Sequence, residues 1–365
     1  MLKILLSTLL LTTVIVTSAQ LPPVAQELYD EAYAQDSLMV QYAINNGAEI
    51  LPTPDGYSFY IKWFPAGASV NNTPLIVSLH GSDGYAFHEF YSWHQRAELK
   101  GCGIIALQWF RGHSSATPNT YFTDDTIYNY LDAALSAISY PSDKAMYHGF
   151  SRGSARSYAI VLKDIQGKNY FCTIMSNSGG MDSSYPFYQQ INANIFGTQP
   201  YTGKKWNLFC GGQDPNPYES GCPAMEATKS WLESRGATVD VFIQDAGLGH
   251  NGFQLQSSSA YKDSVLEDYL KCFNAPAYTP NLAKLQNLIV YPNPANSQLN
   301  IQLSGNIDNA DLCIYNSMGS LVKTASHLSG SSITLNIANL KTGIYHCRLI
   351  AEGKTLGCCR FTAIN

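Results

Sequence analysis

Gly149-Phe150-Ser151-Arg152-Gly153 is a G-x-S-x-G pentapeptide, and Ser151 is the residue best placed in this chain to act as a nucleophile. A serine hydroxyl attacks only weakly until a base takes its proton, and the base needs a carboxylate to orient it. Further along, Gly211-Gly212-Gln213-Asp214-Pro215 and Gly247-Leu248-Gly249-His250-Asn251-Gly252 offer an acid and a histidine on glycine-rich stretches. Asp245 is the rival acid; Asp214 is preferred because its glycines free the loop to turn inward. None of the other seven histidines lies on a glycine-rich loop after the last expected strand of this region. His148 precedes the pentapeptide on a buried run and reads as core. His80-Gly81-Ser82-Asp83-Gly84 can aim backbone N–H groups, and the Ser82 and Arg152 amides are the expected oxyanion donors.

Such chemistry needs elements that deliver each group to one place. Continuous apolar runs at 75–79, 103–110, 145–150, 171–176, 206–210 and 239–244 predict strands covered on both faces. Helices are predicted between them near 86–99, 123–138, 152–164, 224–235 and 258–273, which implies a mostly parallel sheet with right-handed crossovers. The serine then falls on a strand–turn–helix, and the acid and histidine follow successive late strands. Residues 57–64 read as an early antiparallel edge strand and 24–46 as one amphipathic N-terminal helix. Tyr85 and Trp109, near strand ends, are candidate substrate-binding residues, with core packing as the alternative. Cys210 and Cys222 bracket the Asp214 stretch, either as a disulfide or as two thiols.

HGS at 80–82, GFSRG at 149–153, GGQD at 211–214 and GH at 249–250 resemble the α/β-hydrolase superfamily, in particular small secreted esterases of the feruloyl-esterase, polyhydroxyalkanoate-depolymerase and polyester-hydrolase kind. The resemblance covers residues 57–274. It implies an α/β-hydrolase fold, a Ser151–His250–Asp214 triad and hydrolysis of carboxylic esters through an acyl-enzyme. The short interval between Ser151 and Asp214 leaves room for a flap at 180–204 but no lid domain, which suits bulky or polymer-linked esters. Two alternatives stay open: a serine peptidase of the prolyl-oligopeptidase kind, and a non-catalytic surface-binding protein on a hydrolase scaffold.

The ends of the chain read as addresses. Lys3, an apolar run over 4–16 and the small residues Thr17 and Ala19 predict a signal peptide over 1–19, with Gln20 as the mature N-terminus. The 20–274 segment is the expected catalytic domain, 275–288 a linker, and 289–365 a small β-sandwich. Val290-Tyr291-Pro292-Asn293-Pro294-Ala295, Ile314-Tyr315-Asn316-Ser317-Met318-Gly319 and Leu340-Lys341-Thr342-Gly343-Ile344-Tyr345 resemble the type A C-terminal sorting domain of the type IX secretion system. That likeness implies the secretion machinery as a partner, a secreted or cell-surface location, and commonly removal of the tail. Without it, the tail would read as an adhesion or carbohydrate-binding module.

Composition excludes other classes. With 22 Lys+Arg against 27 Asp+Glu the net charge is −5 and no basic block stands out, so a nucleic-acid role is not expected. Aromatics at 12% exceed what a disordered chain carries. No apolar run reaches spanning length, so no membrane span is expected in the mature chain. No H-E-x-x-H or carboxylate-rich calcium loop appears, so neither a metal nor a cofactor is expected. Nine cysteines, an odd number, leave at least one without an intramolecular partner.

Overall fold

The computed structural model describes residues 21–113, 120–274, 288–317, 321–351 and 354–364. The expected signal peptide and nearly all of the expected linker lie outside them. The rest falls into two units, divided after Pro276.

The N-terminal unit opens with α1 (Pro23–Gln35) and α2 (Ser37–Asn45) rather than one helix. Asp36 divides them: its backbone leaves the helical region and its carboxylate accepts from the Met39 amide, capping α2. Then follow β1 (Glu49–Pro52), β2 (Phe59–Trp63), β3 (Leu75–Leu79), α3 (Ala86–Lys100), β4 (Gly103–Leu107), α4 (Asp124–Ala137), β5 (Ala145–Phe150) and α5 (Arg152–Gln166). The second half holds β6 (Phe171–Asn177), α6 (Pro186–Asn192), β7 (Lys205–Gly211), α7 (Cys222–Ser234), β8 (Thr238–Asp245) and α8 (Ser259–Asn274).

The eight strands lie in the order β1-β2-β4-β3-β5-β6-β7-β8. β2 is antiparallel to both neighbours and all other pairs are parallel. This is an α/β-hydrolase fold. β2 was expected at the edge, but the four-residue β1, too short and too turn-like to stand out, covers it. Successive strand residues point to opposite faces, so neighbours in one run feed two cores. Val77, Ile105 and Leu208 pack on one side with Ile127, Tyr158 and Trp231. Ile76, Ile104 and Phe209 pack on the other with Phe90, Trp93 and Val265. Two-sided burial is why these strands are mostly apolar on both faces, with buried polar residues such as Ser78 and His148 as exceptions.

Among the five cysteines of this unit, Cys172–Cys272 and Cys210–Cys222 are disulfides and buried Cys102 is the odd one out. Among the described residues, no helix is long and apolar enough to cross a membrane.

The C-terminal unit is an antiparallel sheet of β9 (Ile289–Tyr291), β10 (Gln298–Asn316), β11 (Leu321–Asn336), β12 (Gly343–Ala351) and β13 (Lys354–Ala363). β10 is one long strand whose pairing shifts register between Gln302 and Ile307. One half pairs with β9 and the other with β12. A parallel bridge from Ala295 to Ala363 brings the two ends of the unit together. The sheet folds over on itself as a small sandwich around Leu299, Ile301, Leu312, Ile314, Leu349 and Phe361.

Candidate active site

Ser151 occupies the turn between β5 and α5 with φ 52° and ψ −116°, a conformation that a non-glycine residue adopts only when its surroundings enforce it. Its amide donates to the Asn177 carbonyl at 2.8 Å, which ties the turn to the end of β6. The flanking glycines make the turn sterically feasible. A Cβ at Gly149 would overlap the Gly153 backbone, and one at Gly153 would overlap the Leu79 carbonyl of β3. Gly153→Ala is therefore expected to cost about 3 kcal/mol or more, read as lost soluble yield and a lowered melting temperature.

The loop after β8 brings His250 to Ser151, with Nε2 2.8 Å from Oγ. The loop after β7 brings Asp214, whose Oδ2 lies 2.7 Å from His250 Nδ1. A carboxylate accepts, so Nδ1 carries the proton and Nε2 is left to accept from the serine hydroxyl. The second oxygen of Asp214 accepts from the Asn216 amide at 2.8 Å and the Ser220 hydroxyl at 3.0 Å. Its side chain is fully buried and every contact favours one orientation. The rival Asp245 is committed elsewhere, to the Gly247 amide and the Tyr261 hydroxyl. The Cys210–Cys222 disulfide closes the Asp214 loop at its base.

The His250 loop is anchored from behind. Gln254 donates to buried Glu89 on α3 at 2.7 Å, and Lys262 of α8 donates to the Gln254 and Leu255 carbonyls at 3.3 and 3.0 Å. Burial alone would raise the Glu89 carboxyl. His148 and the Ser78 hydroxyl, which bond to it, hold it below its ordinary value. His148, read as core from the sequence, is buried in this cluster just behind the Ser151 turn.

The loop after β3 is braced by His80. Its Nδ1 donates to the Gly81 carbonyl at 2.8 Å, and its Nε2 accepts from the Trp109 amide at 3.3 Å. Both nitrogens are used by the neutral ring, and burial pushes the imidazole down to about 4. The folded state thus resists a proton that the unfolded chain accepts from about pH 6.5 downward. The contribution of His80 to stability is full above that value and is expected to shrink by roughly 3 kcal/mol as pH drops from 6.5 to 4. Burial raises Asp164 to about 6 and works in the opposite sense over this range, so the check is the difference in urea midpoint between the unmutated chain and His80→Gln, which should change with pH as His80 predicts. Next to His80, Ser82 Oγ accepts from Arg152 Nε at 3.1 Å, joining the β3 loop to α5. The Arg152 guanidinium lies 4.5 Å over the Tyr121 ring, and the Tyr121 hydroxyl donates to Asp83 at 2.8 Å. As the first residue of α5, Arg152 has an amide with no acceptor within the helix.

Ser82, Ser151, Arg152 and His250 line one cavity of about 580 Å³. Its other walls come from residues 178–185 after β6 and 216–220 after β7, including Met181, Asp182, Tyr185, Asn216, Tyr218 and Glu219. The first stretch overlaps the start of the flap expected at 180–204, while the second carries no sequence expectation. Their place at the carboxyl ends of strands, where α/β sheets bind ligands, was the available signal. Tyr85 and Trp109 require correction, since neither lines this cavity. Tyr85 is 3% exposed and its hydroxyl donates to Glu31 at 2.8 Å. Trp109 is fully buried, stacked on His80 and donating to the His80 carbonyl at 3.0 Å. Both brace the scaffold because their strand ends turn into the core. Among the described residues, no group of three or more His, Cys, Asp or Glu side chains could hold a metal ion.

Residues 289–357 match the family model described as the Secretion system C-terminal sorting domain. The tail carries the sorting-domain pattern. No curated protein matches the chain. Among solved structures it is similar to the Francisella virulence factor BioJ, at 11% identity and a TM-score of 0.48, covering 67% of this chain and 92% of that one. A Bacillus cereus carboxylesterase is 15% identical with a TM-score of 0.41, covering 65% of this chain and 100% of that one. The hyperthermophilic esterase of the archaeon Pyrobaculum calidifontis is 13% identical with a TM-score of 0.46, covering 68% and 93%. The sorting-domain match points to secretion or the cell surface.

Proposed function

We propose that this chain is an exported serine esterase. The observation that carries the reading is the continuous hydrogen-bonded chain from Ser151 Oγ through His250 to buried Asp214, at 2.8 and 2.7 Å. Ser151 Oγ attacks the ester carbonyl while His250 Nε2 takes its proton. The oxyanion is held by the Ser82 and Arg152 amides, which face a developing charge at the N-terminus of α5. His250 returns the proton to the departing alcohol, leaving an acyl-enzyme. Water then attacks with His250 again as base, releasing the carboxylic acid and restoring Ser151.

The cavity supports an ester whose alcohol is polar and bulky or polymer-linked. Its walls carry serines, Asn216, Asp182 and Glu219, and the segment between β6 and β7 holds only the seven-residue helix α6. A deep apolar sleeve for a long acyl chain is poorly matched by such a lining. In this reading the N-terminal segment and the sorting-domain tail direct export, with type IX secretion machinery as the partner.

Purified protein offered p-nitrophenyl esters beside peptide p-nitroanilides is expected to cleave the esters and to react with a fluorophosphonate probe. Turnover of anilides alone would replace the esterase with a peptidase. Absence of both turnover and labelling would leave a non-catalytic scaffold.

A further inference from the structure

We propose that Cys347 and Cys359 form a third disulfide, a cross-strand staple that holds the last strand of the tail. The two residues are direct partners in the β12–β13 ladder. Opposed residues of an antiparallel pair place their Cβ atoms about 4.5–5.5 Å apart, and a disulfide needs about 3.5–4.5 Å, so closure asks for roughly an ångström of adjustment. Both side chains belong to the inner-face positions: Cys347 is 1% exposed between buried Tyr345 and Leu349, and Cys359 packs against the same core. Their thiols already share a hydrogen bond.

The remaining tail cysteines lack this geometry. Cys313 and Cys358 each pair with Arg348, one from either side, and so stand two strands apart. That separation is about 9–10 Å, beyond the reach of a disulfide. The wider chain supplies the chemical setting: two disulfides already exist in the N-terminal unit, and the tail matches a domain of exported proteins.

The thiols also differ in role. The hydrogen bond from Cys347 holds the Cys359 thiol below its ordinary value, and Cys359 is the more accessible of the two. Cys359 loses its proton to solvent and attacks one sulfur of an external disulfide such as glutathione disulfide. One glutathione leaves as a thiolate and is protonated, giving a mixed disulfide on Cys359. Cys347, deprotonated in turn, displaces the second glutathione. Two protein thiols are oxidised, one glutathione disulfide is reduced to two thiols, and two electrons are transferred.

The test uses the full chain treated with glutathione disulfide, then alkylated under denaturing conditions and digested with trypsin. The structure has five unpaired cysteines, which should fall to three alkylated ones. The peptide 342–348 should appear linked to 355–360. That second peptide also contains Cys358, so two variants assign the bond: Cys358→Ser should keep the link and Cys359→Ser should lose it. Full alkylation of Cys347 and Cys359 in the unmutated chain overturns the proposal. So does a link that runs through Cys358. Where a serine variant folds poorly, fragmentation of the linked peptide from the unmutated chain between Cys358 and Cys359 still assigns the bond.

Discussion

Ser151→Ala is expected to reduce kcat for ester hydrolysis by about 10⁶-fold, leaving only the weak turnover that an oxyanion site alone supports. The hydroxyl is the single group 2.8 Å from His250 Nε2, so its loss leaves the base with nothing to deprotonate on the enzyme. Stability should barely move, because the change removes one oxygen and retains the backbone bond from the Ser151 amide to Asn177. Steady-state kinetics on a p-nitrophenyl ester, beside a thermal melt, check both halves. A variant that keeps more than about a hundredth of the activity would place the nucleophile elsewhere.

Asp214→Asn should lower kcat by about 10⁴-fold while the loop keeps its shape. An asparagine oxygen can still accept from the Asn216 amide and the Ser220 hydroxyl, leaving the amide NH₂ to face His250 Nδ1. The histidine must then present an acceptor at Nδ1, its proton moves to Nε2, and Ser151 loses its base. Asp245→Asn is the matched control. Its carboxylate serves the Gly247 amide and the Tyr261 hydroxyl, so kcat should stay within about twofold, as for a change away from the reacting groups. Comparable losses in both variants would overturn the assignment of the acid.

The parts of this protein that could be read along the chain are those governed by local physics. Runs buried on both faces are apolar at most positions, so β3, β5, β6 and β7 were visible with nearly their observed bounds. The turn at Ser151 was visible because only glycine fits beside it, and glycines at 149 and 153 announce that constraint. The loops carrying Asp214 and His250 follow strands and are rich in glycine, so their candidates could be named, although two acids competed. The order of strands, with β2 inside β1, could not be read, because pairing partners are chosen by the whole sheet. Likewise, Asp36 divides α1 from α2 by a capping bond that periodicity does not reveal.

Side-chain direction at strand ends was the main source of error. Tyr85 and Trp109 follow the right strands, yet their rings turn into the core, where Glu31 and the His80 carbonyl satisfy their polar atoms. Residues 178–185 and 216–220 carry no motif of their own, yet they wall the cavity because β6 and β7 aim them there. The fold class, the turn at Ser151, the candidate acid and base, and the sorting tail were all legible along the chain, because each is written as a local steric or burial pattern. Which acid meets His250, which residues surround Ser151 and which thiols face one another emerged from the packing of distant segments. Those are distances between segments far apart in the chain, and they exist only once packing has brought the segments together.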